Sequence, residues 1–213
     1  MKNLIFLGYP GSGKGTISKL FEASHKQISP GDLLRKEIKT GSALGQQIAS
    51  IIDRGNFVSD QMSFALVKQN ITENHHYIFD GFPRTLKQAE DLDSLIRDNY
   101  VVINFLIDRV KLVERLIYRY SCPNCGLIFN LRTNPSKELF ICDNCKHSLS
   151  RRNDDNIEVV QTRFDNHEKM VLPIISYYKE KATQGYGSYF EIDSNRSPEL
   201  IYEEIKNILK TNN

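Results

Sequence analysis

Three stretches of this chain have the residue types and spacing that chemistry needs. The first is Gly8-Tyr-Pro-Gly-Ser-Gly-Lys-Gly-Thr16, which follows the apolar run Leu4-Ile-Phe-Leu7. It fits G-x-x-x-x-G-K, with Gly15 where the strict motif has Ser or Thr and Thr16 one place later. Glycines at 8, 11, 13 and 15 let successive backbone N–H groups turn inward around phosphate oxygens, and the following helix adds its positive N-terminal end. Lys14 brings a mobile charge that can follow a phosphoryl group in transfer. Gly11, Ser12, Gly13, Lys14, Gly15 and Thr16 are therefore assigned to a nucleoside triphosphate. The bland alternative, a glycine turn that binds nothing, does not account for the preceding strand, the lysine and the following helix together. By itself the loop does not separate switch proteins, motors, small-molecule kinases and nucleotide kinases.

The second signal comes in two parts, Ile28-Ser-Pro-Gly-Asp-Leu-Leu-Arg35 and Ile78-Phe-Asp-Gly-Phe-Pro-Arg-Thr85, with Gln88 one helical turn onward. Each reads as a strand end, a glycine turn, then an arginine in or beside a helix. In an open parallel sheet both strand ends open into the crevice that holds the phosphate loop. Arg35 and Arg84 can therefore meet on one anion, which suggests a monophosphate acceptor held by bidentate hydrogen bonds. Asp80, closing an apolar strand beside the loop, is placed to hold Mg²⁺ through water.

The third is Cys122-Pro-Asn-Cys125 with Cys142-Asp-Asn-Cys145, a C-x₂-C-x₁₆-C-x₂-C spacing that contains every cysteine of the chain. Two such knuckles complete a tetrahedral S₄ site suited to Zn²⁺, and four thiolates leave no open position, so the zinc is structural. Four unrelated thiols are the alternative. A small ribbon can also read nucleic acid, but between the cysteine pairs the only basic residues are Arg132 and Lys137, which form no basic patch.

The elements that must position these groups follow from periodicity. Leu4–Leu7, Gln27–Ser29, Tyr77–Asp80, Val101–Ile107 and Tyr189–Ile192 read as strands, the clearest being apolar on consecutive positions as a sheet covered on both faces requires. Helices are expected over 14–24, 32–40, 43–53, 60–73, 86–97 and 111–120, where apolar residues recur every three or four places. A long helix is expected from about Ile157 to Lys181, bent near Pro173, and a last one from Pro198 to Leu209. Alternating strands and helices imply an α/β fold with a parallel sheet. Only Ser121–Ser150 breaks the pattern, as an insert between core helices.

The chain has 213 residues, 40% hydrophobic and 25% charged, with a net charge of +2. That composition argues for a folded core and against disorder. The charge is too small for a nucleic-acid or membrane surface, and no apolar run reaches the roughly 20 residues of a membrane helix. No signal peptide is evident, so a cytoplasmic protein is expected.

Together, G-x-P-G-x-G-K-G-T, S-x-G-D-x-L-R and D-G-F-P-R-T with its following Gln resemble the adenylate kinase family, in its bacterial long-lid form, from Asn3 nearly to the C-terminus. The resemblance implies a P-loop nucleoside monophosphate kinase fold, a five-stranded parallel sheet flanked by helices. Residues 1–28, 59–117 and 156–213 would form the core, 29–58 an AMP-binding flap and 118–155 a zinc-binding lid. It implies magnesium-dependent transfer, ATP + AMP ⇌ 2 ADP, with ATP, AMP and ADP as ligands, structural Zn²⁺ in the lid, no nucleic-acid or membrane partner, and a monomer.

Site roles carry over residue by residue. Lys14, Arg84, Arg119, Arg152, Arg163, Asp154 and Asp155 form the implied catalytic set, the acidic pair helping to settle the closed lid. ATP is implied to meet the loop, Arg115, Arg119, Ile128, Phe129 and backbone near Arg196. AMP is implied to meet Pro30, Arg35, Asn56, Phe57, Val58, Gly81, Phe82, Pro83, Arg84, Gln88, Arg152 and Arg163. Pro30 stands where the family usually has Thr and offers neither hydroxyl nor backbone donor.

Two rivals stay open: a kinase of CMP or UMP, and a non-catalytic ATP-responsive module whose zinc ribbon binds a partner. Arg54, Arg97 and Arg132 are read as surface residues, as are His25, His75, His76, His147 and His167. Phe164, Tyr177 and Tyr178 are read as packing, and Lys210–Asn213 as a frayed tail.

Overall fold

The computed structural model describes residues 1–72, 74–97 and 99–212. Strands β1 (Asn3–Gly8), β2 (Lys26–Ile28), β3 (Tyr77–Asp80), β4 (Tyr100–Leu106) and β7 (Ser188–Asp193) form one parallel sheet in the order β2-β3-β1-β4-β7. Ile5 is in register with Phe79 on one side and Val102 on the other. Side chains alternate between the faces of a strand, and β1 buries both sets. Leu4 and Phe6 pack with Ile17, Phe21, Ile201 and Ile205 beneath helices α1 (Lys14–Leu20) and α8 (Pro198–Thr211). Ile5 and Leu7 pack with Leu92, Ile174 and Tyr178 of α5 (Leu86–Ile96) and α7 (Ile157–Thr183). Two apolar faces account for the unbroken apolar runs of the sequence.

Because every strand of this sheet runs the same way, the segments that follow β1, β2, β3, β4 and β7 emerge along one edge. That edge carries the phosphate loop and both arginine motifs.

Two further layers cover it. Helices α2 (Pro30–Lys39), α3 (Ala43–Ile52) and α4 (Asp60–Asn70) gather Leu34, Ile48 and Val58 into a small core. Ser29, Ser42 and Ser59 accept the N-terminal amides of these helices through their hydroxyls, which satisfies otherwise orphan donors. Where α3 crosses α2, a Cβ on Gly45 would lie 2.6 Å from the Glu37 carbonyl oxygen, so no larger residue fits. After α6 (Arg109–Ile117) comes a small β unit. Its strands β5 (Arg119–Ser121) and β6 (Ile128–Asn130) pair antiparallel, and Ser121 also bridges Ser150. Cys122, Phe129, Cys142 and Leu149 fill its interior.

Several boundaries differ from the periodicity. α1 stops at Leu20 and the chain turns through Ser24. α2 begins at Pro30, whose fixed φ suits the first helical position. α4 ends at Asn70, and the expected terminus Glu73 lies outside the described residues. α6 begins two residues earlier than expected, at Arg109, and ends at Ile117. Arg119 and Tyr120 are strand residues, drawn out of the helix by the Cys-bearing unit that follows. α7 runs through Pro173 as one helix. At the C-terminus Lys210 and Thr211 are helical, and Asn212 accepts from the Ser188 hydroxyl at 3.0 Å, so the tail is tied down as far as Asn212. Asn213 lies outside the described residues.

Two histidines depart from the surface reading. His25 is 3% exposed, its ring hydrogen-bonded with the Ser24 hydroxyl and the Lys2 carbonyl, and burial pushes its pKa down. His167 is half-buried and lines the central cleft. Phe164 and Tyr178 are buried packing residues, as expected.

Candidate active site

The phosphate loop leaves β1 at Gly8 and enters α1 through Gly13, whose φ of 98° lies in the left-handed region open to glycine. Among the described residues no side chain caps α1, so its first backbone N–H groups can meet an anion. Lys14 Nζ donates to the Gly8 and Tyr9 carbonyls, each at 2.8 Å, and to Ser12 Oγ at 3.2 Å. Burial, opposed by Asp80 and reinforced by nearby arginines, pushes its pKa down to about 8. Asp80 stands opposite Phe6 in the ladder, at the end of β3 beside the loop. Its carboxylate accepts from Gln27 Nε2 at 2.8 Å, and burial raises its pKa.

Arginines reach the same cleft from distant segments. Arg35 comes from α2, Arg84 from the turn after β3, Arg119 from β5, Arg152 from the segment before α7 and Arg163 from α7 itself. The acidic pair organises the lid side. Asp155 is fully buried and accepts from Arg119 Nε at 2.8 Å and Nη2 at 2.6 Å, a bidentate pair. Arg163 Nη1 meets Asp155 at 3.0 Å and Asp154 at 2.9 Å. Asp32 accepts from Arg35 at 2.6 Å and faces Arg152 at 3.9 Å, across from the flap to the lid. Arg152 Nε is buried and has no hydrogen-bond partner among the described residues. Burial and neighbouring cations push the pKa of Arg84 down to about 10 and that of Arg152 to about 9. Such crowding is unfavourable until a polyanion enters.

Arg84 is held from several sides. Its Nε donates to the Gly81 carbonyl at 2.7 Å and its guanidinium lies 4.7 Å from the Phe57 ring centroid. Its backbone N–H donates to Gln88 Oε1 at 2.7 Å, while Gln88 Nε2 donates to Asp60 at 2.8 Å. A cavity of about 190 Å³ opens between these residues and Pro30, Asn56 and Val58. Phe82 belongs to the core and Pro83 follows a cis peptide bond.

On the other side Arg115 Nη2 donates to the Ser194 carbonyl at 2.9 Å, and Arg196 holds the Asp193 carbonyl at 3.0 Å and the Glu204 carboxylate. Ile128 faces the loop, its Cδ1 3.4 Å from where a Cβ on Gly15 would stand. Phe129 also lines the cleft, although its ring packs into the lid interior. The main cleft encloses about 1470 Å³, beyond the roughly 300–1,000 Å³ of a single small-molecule site.

Sequence reasoning missed Asp32 as the shared partner of Arg35 and Arg152, and it missed His167 as a cleft residue and Tyr9 as the ring it packs on. Only for His167 was there a signal: it lies one helical turn beyond Arg163.

The four cysteine sulfurs all lie within 4.8 Å of one another. A tetrahedral Zn–S₄ centre with bonds of about 2.3 Å separates its sulfurs by about 3.8 Å. The observed 3.3 Å between Cys122 and Cys145 and 3.6 Å between Cys125 and Cys142 fit that cage. The His147 backbone N–H holds the Cys145 thiol well below its usual range, whereas burial pushes Cys122 up.

A phosphate loop at the carboxyl edge of a parallel sheet, with an arginine-lined pocket opposite and a cysteine-held lid above, defines a phosphotransferase of the nucleoside monophosphate kinase class. The family model described as adenylate kinase matches residues 6–183. An adenylate kinase of Archaeoglobus fulgidus is 36% identical over 98% of this chain and 98% of its own length. One from Borrelia garinii subsp. bavariensis is 40% identical over 98% and 99%, and one from Borreliella burgdorferi is 42% identical over 83% and 86%. The chain belongs to the adenylate kinase family, whose members catalyse ATP + AMP ⇌ 2 ADP. Among the described residues no helix is long and apolar enough to cross a membrane.

Proposed function

We propose that this cleft seats ATP on the Gly8–Thr16 loop and AMP over the Pro30, Val58 and Gln88 pocket, and passes the terminal phosphoryl group between them in line. The observation that carries the reading is the convergence of Lys14, Arg35, Arg84, Arg119, Arg152 and Arg163 on one cleft with a second chamber beside Arg84. Phosphoryl transfer asks a protein for positioning and charge neutralisation, with little covalent work. Arg35 and Arg84 clamp the acceptor phosphate. Lys14 exchanges its own loop carbonyls for the migrating phosphoryl oxygens. Arg119, Arg152 and Arg163 close from the lid side and exclude water as they engage.

Magnesium bound with ATP supplies neutralising charge on the phosphate chain. Asp80, buried beside the loop with its carboxylate partly satisfied by Gln27, fits a water-mediated contact to that ion. The cysteine cage fits structural Zn²⁺, which stands in for a hydrophobic core that so small a lid cannot build. A monomer in the cytoplasm, with residues 29–58 and 118–155 moving over residues 1–28, 59–117 and 156–213, completes the proposal.

A coupled assay for ADP tests it. ATP with AMP should give rapid ADP formation, CMP and UMP much less, and Arg84→Ala a loss of about 10²–10³-fold, the size of removing one preorganised charge-stabilising donor. ATP hydrolysis at one slow rate whatever acceptor is offered would sink the assignment.

A further inference from the structure

Helix α7 brings more than Arg163 to the cleft. His167 lies four residues on, so both side chains leave the same face of the helix. The imidazole lines the cleft with the phosphate loop and Arg84. Its face packs on Tyr9, with ring centroids 4.2 Å apart at 45°. Tyr9 is itself fixed: its hydroxyl donates to Glu168 at 2.9 Å and its ring meets Phe164 edge-on at 5.7 Å. Arg109 of α6 donates to the same Glu168 carboxylate at 3.1 Å. The imidazole is thus pinned through its face, while its nitrogens have no protein hydrogen bond among the described residues.

The charged groups around it come from every packed element. Lys14 faces it from α1 and Arg84 from the turn after β3. Arg163 and Glu168 belong to its own helix, and Tyr9 and Arg109 approach from the phosphate loop and α6. Glu168 is engaged by Tyr9 and Arg109. Burial and the two facing cations push the His167 pKa down to about 3, which leaves the ring neutral while the cleft is empty.

We infer that His167 is a phosphate-contacting residue of the transfer site, donating an imidazole N–H to an oxygen of the phosphate chain that lies between Lys14 and Arg84. This rests on the proposal that the phosphates of two nucleotides meet there. A polyanion between the cations reverses the local potential, so the imidazolium becomes favoured and ligand binding takes up a proton. A purely packing residue stacked on Tyr9 would need no nitrogen and would move no proton.

The probe is diadenosine pentaphosphate, whose two adenosines match the two proposed nucleotide sites and which has no terminal phosphate to titrate near neutrality. Calorimetric titration at about pH 6, where Lys14 is already charged, in buffers of different ionisation enthalpy counts the protons taken up. His167→Phe, which keeps the stack on Tyr9, should take up fewer protons than the parent. Its kcat should fall about tenfold, the loss of one hydrogen bond to a charged group, with Tm unchanged. His167→Gln, with a neutral donor, should recover most of the rate without the proton. An unchanged proton count or an unchanged kcat in His167→Phe overturns the inference, while an active parent enzyme leaves the reading of the site standing. A parent protein that makes no ADP from ATP and AMP overturns that reading itself, and the inference with it.

Discussion

Lys14 holds three oxygens of its own loop and has a pKa near 8 in the empty cleft. Folded protein therefore binds fewer protons at this site than unfolded chain between about pH 8 and the usual 10.5. The contribution of Lys14 to stability accordingly rises with pH across that window. Phosphate binding has the opposite sign, because the ligand needs the ammonium. The Kd for ATP should be level below about pH 8 and weaken above it by up to tenfold per pH unit, a trend that Lys14→Met should abolish along with most of the affinity. Equilibrium titrations from pH 6 to 10 check this, and a flat profile in the parent would mean that Lys14 stays charged throughout.

Asp155 carries a second residue-level prediction. It is the buried counterion of both Arg119 and Arg163. Removing one partner of a buried pair leaves uncompensated charge at a cost of about 3–5 kcal/mol. Asp155→Ala should therefore lower Tm and weaken ATP binding, whereas Asp165→Ala, on an exposed pair with Arg109, should leave Tm within about a degree, since exposed pairs contribute about 0–1 kcal/mol.

At the scale of elements, the lid is a unit half of whose interior is cysteine. Cys122, Phe129, Cys142 and Leu149 are its buried core, too little apolar surface to fold on hydrophobic burial alone. A Cys142→Ser, Cys145→Ser variant should lose bound zinc and melt several degrees lower, measured by metal analysis and calorimetry. AMP affinity should be nearly retained, because Arg35, Arg84 and Gln88 lie outside the lid. Lys39 of α2 donates to the Pro123 carbonyl at the first knuckle. That contact is exposed, so its loss should be small. Full zinc content and an unchanged Tm in the double variant would contradict this account of the lid.

For the whole molecule, the cations of the cleft are spread over the core, residues 29–58 and the lid, so none of these parts holds the site alone. In the proposed mechanism, assembling them around two nucleotides and then releasing product requires residues 29–58 and 118–155 to separate again. Motions of this kind often limit turnover. Rapid mixing should reveal a burst of ADP before the steady state, with the slow step assigned to release; a linear onset would place chemistry last. Much of this arrangement was legible in the chain. The consecutive apolar positions of β1, β3 and β4 demanded a covered sheet, and parallel strands open their carboxyl ends on one edge, so Arg35 and Arg84 could be brought together on paper. The cysteine spacing likewise determined a four-sulfur cage, because knuckle geometry is local. What remained beyond reach was set by contacts distant in sequence. Arg119 reads as helix until β6 claims it for a strand, and His25 reads as surface until the fold brings the Lys2 carbonyl to its ring. Asp32 becomes a partner of Arg152 only when flap meets lid. His167 becomes a cleft residue only when α7 lies along Tyr9. Local spacing decided which groups this protein owns; the packing of helices over the sheet edge decided which of them face one another, since charge and burial depend on distances that a linear chain does not specify.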